Sequence, residues 1–345
     1  MDEILFYSGN GNHSLGAGMI SHLEEYFGRD FHFENIDFGL FPDGESDNRI
    51  PRFTEISGKT VIFYQSIYNE NLLEEALELI WAIKRQYKAF HLIAVIPFLI
   101  FRRQDHEEKN DEICRLKMII DCLKHAGVDE MITVSPHSAD IDKFCQMFDV
   151  KLWEIDPSPL FASTIKTYIS DKPTIYSPDR GSITRAIKLA KLTGGRVIFS
   201  LKERGLNNEA NIKPEEKEEV DRLISYYQEK EDFLDINYAD AGHIVDESIV
   251  MVEDEISTGT TANKTGRRLK GLGARKIIFL AVHPVLVHGW RRKLFDRNPF
   301  DKIILGDTIP RGYEKRTGGL IHDISVAELM AQTLYKALGR FENLP

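Results

Sequence analysis

Several things are scarce or missing in this sequence, and each narrows what the chain can be. Cysteine is scarce: Cys114, Cys122 and Cys145 are the only three, and no two of them form a C-x-x-C pair. An odd, sparse set points to reduced thiols in a reducing compartment, with core packing as their expected role. No apolar run approaches the roughly 18 residues that a membrane helix needs, so no membrane partner is expected. Positive charge is in deficit: 44 Lys and Arg against 54 Asp and Glu leave a net charge of −10. A general nucleic-acid binder needs the opposite surplus to neutralise phosphates, so nucleic acid is not an expected partner. A small anionic substrate stays open, because local clusters decide that. The first residues, MDEILFYSGN, carry acids where a secretory leader needs a basic region, which predicts a cytoplasmic protein. Also absent is G-x-x-x-x-G-K-[S/T], which sets aside a P-loop phosphate site.

What is present is a soluble globular profile: 345 residues, 42% hydrophobic and 28% charged, enough for one large domain or two of medium size. Short apolar runs alternate with helical patterns. Strands are predicted at 4–8, 60–65, 91–97 and 131–135, with helices at 15–27, 71–88 and 113–126, the last ended by Gly127 as a C-cap. The pattern restarts with strands at 174–177, 196–200, 249–252 and 276–282 and helices at 183–193 and 261–271. Strand-helix alternation implies parallel sheets covered on both faces, hence an α/β fold of two similar domains joined near Asp156. One excursion breaks the alternation. Residues 213–228, KPEEKEEVDRLISYYQ, open on Pro214 and a run of acids and carry a narrow apolar stripe, which reads as a surface helix.

The most informative stretch is IVMVEDEISTGTT at 249–261. A buried strand runs into adjacent acids, then into hydroxyls around one glycine that lead to a helix. Ligands of open α/β sheets bind beyond the carboxyl ends of strands. Backbone N–H groups and hydroxyls at a helix start make a nest for phosphate, and Gly259 lets the chain approach a ligand closely. Vicinal sugar hydroxyls donate well to carboxylates. The pattern therefore predicts a phosphorylated sugar, with its phosphate on Ser257, Thr258, Gly259, Thr260 and Thr261 and its hydroxyls on Glu253 and Asp254. An acidic loop with Thr258 as a plain helix N-cap is the simpler alternative.

The stretch resembles the phosphoribosyl-pyrophosphate (PRPP) binding motif shared by type I phosphoribosyltransferases and ribose-phosphate diphosphokinases, the PRPP synthetases. Further motifs, in the same order along the chain, resemble the diphosphokinases. FPDGE at 41–45 is similar to their F-S-D-G-E, which implies that Phe41 contacts adenine and that Asp43 and Glu45 position the nucleotide, contributed from a neighbouring subunit. IPFLIFRRQD at 96–105 is similar to I-P-Y-x-x-x-x-R-Q-D, implying that Arg103, Gln104 and Asp105 line an ATP site. TVSPHS at 133–138 aligns with T-x-D-L-H-A and implies a metal-associated role for His137, with Ser135 standing where the family has aspartate. SPDRG at 177–181 is similar to S-P-D-x-G, which implies that Asp179 holds Mg²⁺ or orients the ribose. KER at 202–204 resembles the K-R-R start of a catalytic loop and implies that Lys202 and Arg204 stabilise the transferring pyrophosphoryl group. DTIP at 307–310 and ISVA at 324–327 resemble N-T-I-P and L-S-V-A. The resemblance implies two phosphoribosyltransferase-like domains, each a mostly parallel sheet flanked by helices. These are placed at 1–155 and 156–322, with an inserted lid at 205–247 and a C-terminal helix at 323–345 packing back on the body.

The resemblance further implies ATP as co-substrate, Mg²⁺, ribose 5-phosphate as acceptor and a homo-oligomer, dimer or hexamer. Two departures bear on this. Ser257 stands where diphosphokinases usually carry aspartate and where phosphoribosyltransferases often have Ser or Thr, and 205–247 is longer than the family loop, with added sequence near 311–320. Those features open three alternatives: a larger acceptor with the same anomeric hydroxyl, such as ADP-ribose; a phosphoribosyltransferase; and a catalytically silent regulatory homologue.

Overall fold

In a computed structural model the described residues are 4–106, 111–179, 181–199 and 241–339, with isolated positions 218, 221, 222, 225, 226 and 235–238 between. The chain divides into two compact units, Met1–Asp156 with Thr308–Pro310 and Ser325–Pro345, and Pro157–Asp307 with Arg311–Ile324.

The first unit runs β1 (Leu5–Ser8), α1 (His13–Phe27), β2 (Phe33–Asn35), β3 (Asp37–Leu40), β4 (Ser46–Arg49), β5 (Thr60–Tyr64), α2 (Glu70–Trp81), β6 (His91–Val95), α3 (Arg115–Ala126), β7 (Glu130–Val134), α4 (Asp140–Met147) and β8 (Lys151–Ile155). Six strands form one sheet in the order β2-β1-β5-β6-β7-β8. Every pairing in it is parallel. All residues of β1, β5 and β7 are buried, as their near-continuous apolar runs require once helices cover both faces. β3 and β4 form a separate antiparallel hairpin, with Leu40 and Phe41 exposed at its tip.

The second unit runs α5 (Ser158–Lys166), β9 (Thr174–Ser177), α6 (Ile183–Thr193), β10 (Arg196–Phe199), β11 (Ile236–Tyr238), β12 (Ser248–Glu255), α7 (Thr260–Gly271), β13 (Lys276–His283), α8 (Trp290–Phe295), β14 (Lys302–Gly306) and β15 (Ile321–Ile324). Its seven-stranded sheet is ordered β11-β10-β9-β12-β13-β14-β15. All of its pairings are parallel too. The final helix, α9 (Ala327–Leu338), belongs to the first unit and packs on α1. The segment Thr308–Pro310 also belongs there, where the Ser66 hydroxyl donates to the Thr308 carbonyl. The expected α/β architecture of two mostly parallel, helix-flanked sheets is therefore what the chain adopts.

Local chemistry sets most helix ends. Asn69 caps α2 by accepting from the Leu72 N–H at 2.9 Å. Gly28 and Gly194 end α1 and α6 in the left-handed region, and Gly127 ends α3 as predicted. The helix predicted over 71–88 is not uniform. It becomes a wider π-helical turn over Ala82–Gln86, which keeps Ile83 buried while the chain turns towards β6. Core packing was expected of all three cysteines and holds only for Cys145: Cys122 is exposed and Cys114 half-buried at the start of α3. Burial pushes the Cys145 thiol up to about 12, with help from Asp142 and Glu154, so it is inert at neutral pH. Residues 213–228 lie mostly outside the described residues; the described positions among them are helical and exposed. Among the described residues no helix is long and apolar enough to cross a membrane.

The first sheet places α1 very close to its face. A Cβ on Gly16 would lie 2.6 Å from the Tyr64 ring and 2.9 Å from Phe33. Gly16→Ala is expected to destabilise the protein by about 1–3 kcal/mol through overpacking, read as a lowered midpoint in chemical denaturation; an unchanged midpoint would contradict the packing described.

Candidate active site

In the second unit β12 pairs on one side with β9 and on the other with β13. The carboxyl ends of β9 and β12 are therefore neighbours. Asp179, two residues past β9, is close enough to Glu253 to act on its ionisation. The acids were expected just beyond a strand at 249–252, but the strand runs on, and Glu253, Asp254 and Glu255 are its last three residues. Asp254 is buried and its two neighbours half-buried. Burial pushes the Glu253 carboxyl well above its ordinary value of 4.5; the like charges of Asp179 and then Asp254 add to the rise, while Arg185 of α6 opposes it. The site thus holds carboxylates whose mutual repulsion a cation or hydroxyl donors would relieve.

The turn after β12 carries Ser257 to Thr261. Gly259, not Thr258, is the N-cap of α7, at φ 74°. Its left-handed backbone favours glycine, and a Cβ would sit 2.9 Å from the Leu294 Cβ of α8. Gly259 is therefore needed for the backbone turn and for the packing of α8, besides any ligand. The Thr258 hydroxyl accepts from the Thr260 N–H at 3.2 Å and donates to the Thr260 hydroxyl at 3.1 Å. No acid occupies the first turn of α7, so the positive end of its dipole is not neutralised locally. The chain after β13 clamps the turn: Leu286 N–H donates to the Ile256 carbonyl at 2.9 Å and Val287 N–H to the Ser257 carbonyl at 3.2 Å. Trp290 at the start of α8 packs on Tyr313, 4.7 Å between ring centroids, with the Arg291 guanidinium over both rings. Arg311 donates to the Pro284 and Val285 carbonyls. The added sequence near 311–320 thus braces the segment that holds the turn.

In the first unit Phe41, Asp43 and Glu45 sit in the hairpin turn between β3 and β4. The Phe41 N–H donates to the Glu45 carbonyl at 2.8 Å and the Gly44 N–H to the Phe41 carbonyl at 2.9 Å. Asp43 Oδ1 accepts from the Glu45 N–H at 3.2 Å. The Phe41 ring is half exposed and both acids are open to solvent.

Arg103 and Gln104 are exposed, whereas Asp105 is 3% exposed, after β6. Burial would raise the Asp105 carboxyl, but hydrogen bonds from Ser138 and His106, with the nearby His137, hold it below its ordinary value. His137 is exposed beyond β7. Ser135, where the family has aspartate, takes φ 41°, and its carbonyl accepts from Arg102 Nη1 at 3.0 Å. Lys202 and Arg204 lie outside the described residues, as does most of 205–247.

Sequence reasoning missed Arg102, Ser138 and Arg185. Arg102 adjoins Arg103 in the sequence, but it is buried against Phe98 and braces Ser135. Only the tertiary fold separates the two.

Because the Glu253 carboxyl is raised, the folded state binds a proton there more tightly than the unfolded state. Its contribution to stability is complete below about pH 4.5 and is lost as pH rises through the raised folded value. Ligand-free protein is expected to lose thermal stability as pH climbs above 4.5, and Glu253→Gln to flatten that slope. Parallel pH profiles for the two proteins would contradict the assignment.

A model of the N-terminal domain of ribose phosphate pyrophosphokinase matches residues 4–136. The ribose-phosphate pyrophosphokinase of Ralstonia nicotianae is 28% identical over 336 residues, covering 96% of this chain and 94% of that protein. The Sulfurisphaera tokodaii enzyme of the same name is 28% identical over 298 residues, 85% of this chain and 89% of its own. Among solved structures, the phosphoribosylpyrophosphate synthetase of Mycobacterium smegmatis superposes with a TM-score of 0.78 at 22% identity, covering 98% of this chain and 99% of that one, a likeness of fold. The chain thus carries a match to the N-terminal domain of ribose phosphate pyrophosphokinase and is similar over nearly its whole length to enzymes named ribose-phosphate pyrophosphokinase, which supports an enzyme of that class.

Proposed function

We propose that the protein makes a 1-pyrophosphorylated ribose phosphate from ATP, with AMP as the second product. The observation that carries this is the second-unit site: a glycine-capped turn at a helix start directly after buried and half-buried carboxylates at the carboxyl end of a central parallel strand. The relatives' name, ribose-phosphate pyrophosphokinase, supports ribose 5-phosphate as the first acceptor to test.

In this reading Ser257, Thr258, Gly259, Thr260 and Thr261 hold the 5-phosphate through N–H groups and hydroxyls. Glu253 and Asp254 accept from the ribose hydroxyls and so fix the sugar with its anomeric hydroxyl free. That hydroxyl attacks the β-phosphorus of ATP; the bond to the α-phosphate oxygen breaks, AMP leaves, and the anomeric proton passes to solvent or to a carboxylate. Phe41, Asp43 and Glu45, together with Arg103, Gln104 and Asp105, are assigned to ATP. An exposed aromatic face and solvent-open acids on a hairpin turn suit an adenine presented from another copy, in keeping with a homo-oligomeric dimer or hexamer. Lys202 and Arg204 are assigned to the charge of the transferring group.

Asp179 is assigned to Mg²⁺: its carboxylate and those of Glu253 and Asp254 are hard oxygen donors of the kind that ion takes, and burial, followed by the like charges of Asp179 and Asp254, holds the Glu253 carboxyl up, which a nearby cation would oppose. His137 is assigned as a further metal contact near the nucleotide. Mg²⁺, when bound, supplies neutralisation of phosphate charge.

Two observations favour a second acceptor. Ser257 removes a carboxylate from the turn, and the added sequence around Arg311 and Tyr313 rebuilds the wall behind it. A 5′-substituted ribose such as ADP-ribose keeps the free anomeric hydroxyl. A phosphoribosyltransferase would leave the residues of FPDGE and RRQD without a task, and a silent homologue would leave the carboxylate cluster without one.

Incubation with ATP, Mg²⁺ and either ribose 5-phosphate or ADP-ribose, followed by mass spectrometry, is expected to give AMP and a pyrophosphorylated acceptor. A mass gain on ADP-ribose alone would reassign the acceptor. No AMP with either would overturn the pyrophosphoryl-transfer reading. Lys202→Ala is expected to lower turnover about 10²–10³-fold, whereas unchanged turnover would remove that residue from the mechanism.

A further inference from the structure

β6 and β7 pair in parallel, Val95 opposite Ile132, so the loops that follow them leave the sheet side by side. Asp105 and His106 come from the first loop, and Asp140 opens α4 after the second. One carboxylate oxygen of each aspartate and one ring nitrogen of His106 all lie within 4.8 Å of one another. Asp105 is 3% exposed, and its Oδ1 is 2.6 Å from His106 Nδ1. Asp140 is half-buried and pairs with Lys143 at 2.5 Å, but the Lys143 side chain is 72% exposed and leaves at little cost. The His106 side chain is 59% exposed, so its ring can turn.

Each pair has an ordinary explanation: a His–Asp contact, and an acid at a helix start. Neither explains why two carboxylates from separate loops meet around one imidazole. Metal–ligand bonds of about 2.0–2.2 Å place neighbouring ligands roughly 3–4 Å apart, so small side-chain rotations would close this set on an ion. The mixed nitrogen and oxygen donors choose among ions. Mg²⁺ favours oxygen alone, whereas imidazole suits first-row transition metals.

We propose that Asp105, His106 and Asp140 form a binding site for a divalent transition-metal ion of the manganese, cobalt or zinc class, with coordination positions left open to solvent. The site shares no residue with the carboxylates of β12. Three protein ligands leave positions for water or for an oxygen of a bound phosphate. Asp105 supplies the rigid ligand, while His106 and Asp140 swing onto the ion. Asp105 also belongs to the element assigned to ATP, so the test reads metal binding without nucleotide and stands whether or not AMP is formed.

The full-length protein is titrated with Co²⁺, following its visible d–d absorption, and with Mn²⁺, following the loss of the free-ion electron paramagnetic resonance signal. Wild type is expected to bind one saturable equivalent that excess Mg²⁺ does not displace. His106→Gln and Asp140→Asn are each expected to weaken binding more than about 10-fold. The solvent-exposed His106 makes its variant safe for folding. Equal affinity in wild type and both variants, or no saturable binding, would overturn the site.

Discussion

A parallel sheet covered by helices on both faces is open to solvent only at its ends, and this constraint organises the chemistry of the protein. The strands themselves are spent on the core: every residue of β5 and β7 is buried, and the first five of β12 are too. Groups that meet a ligand must therefore sit where strands end. At carboxyl ends they also meet the N-termini of the following helices, with unpaired N–H groups and a positive dipole. Asp179, Glu253 and the turn to Thr261 lie at such ends in the second unit, and Asp105, His137 and Asp140 at such ends in the first.

The same constraint sets an electrostatic cost. Glu253 and Asp254 stay in the strand rather than in a solvated loop, so their charge meets low dielectric and nearby Asp179. Arg185 offsets part of that cost. Such an arrangement destabilises the empty site and favours whatever brings positive charge or hydroxyl donors to it. Gly259 shows a second economy: one residue satisfies the left-handed turn, the approach of Leu294 and the open helix start. Two departures from the family pattern meet at this turn: Ser257 lies in it, and Arg311 and Tyr313 brace the segment that holds it.

Much of the architecture was legible because buried parallel strands are written as apolar runs. The central strands of both sheets and the helices between them are such cases. Edges were not legible. β8 buries only Ile155 fully, and β2, β3 and β4 bury none of their residues fully, so the apolar run that marks a strand is missing there. The short α8 has too few turns to show periodicity, although it holds the turn at Gly259.

The sequence by itself determined the α/β class, the family resemblance and the order of the motifs, because these depend on residue type and spacing along the chain. It also singled out Glu253, Asp254 and Gly259 as candidate site residues, since acids after a buried run and a glycine before a helix are local signals. Tertiary structure alone decided which residues share an environment. It separated buried Arg102 from exposed Arg103, joined Asp179 and Arg185 to Glu253, and brought Asp140 to Asp105 and His106. Those outcomes rest on strand order, which sets neighbours among segments far apart in sequence, and no local pattern encodes it.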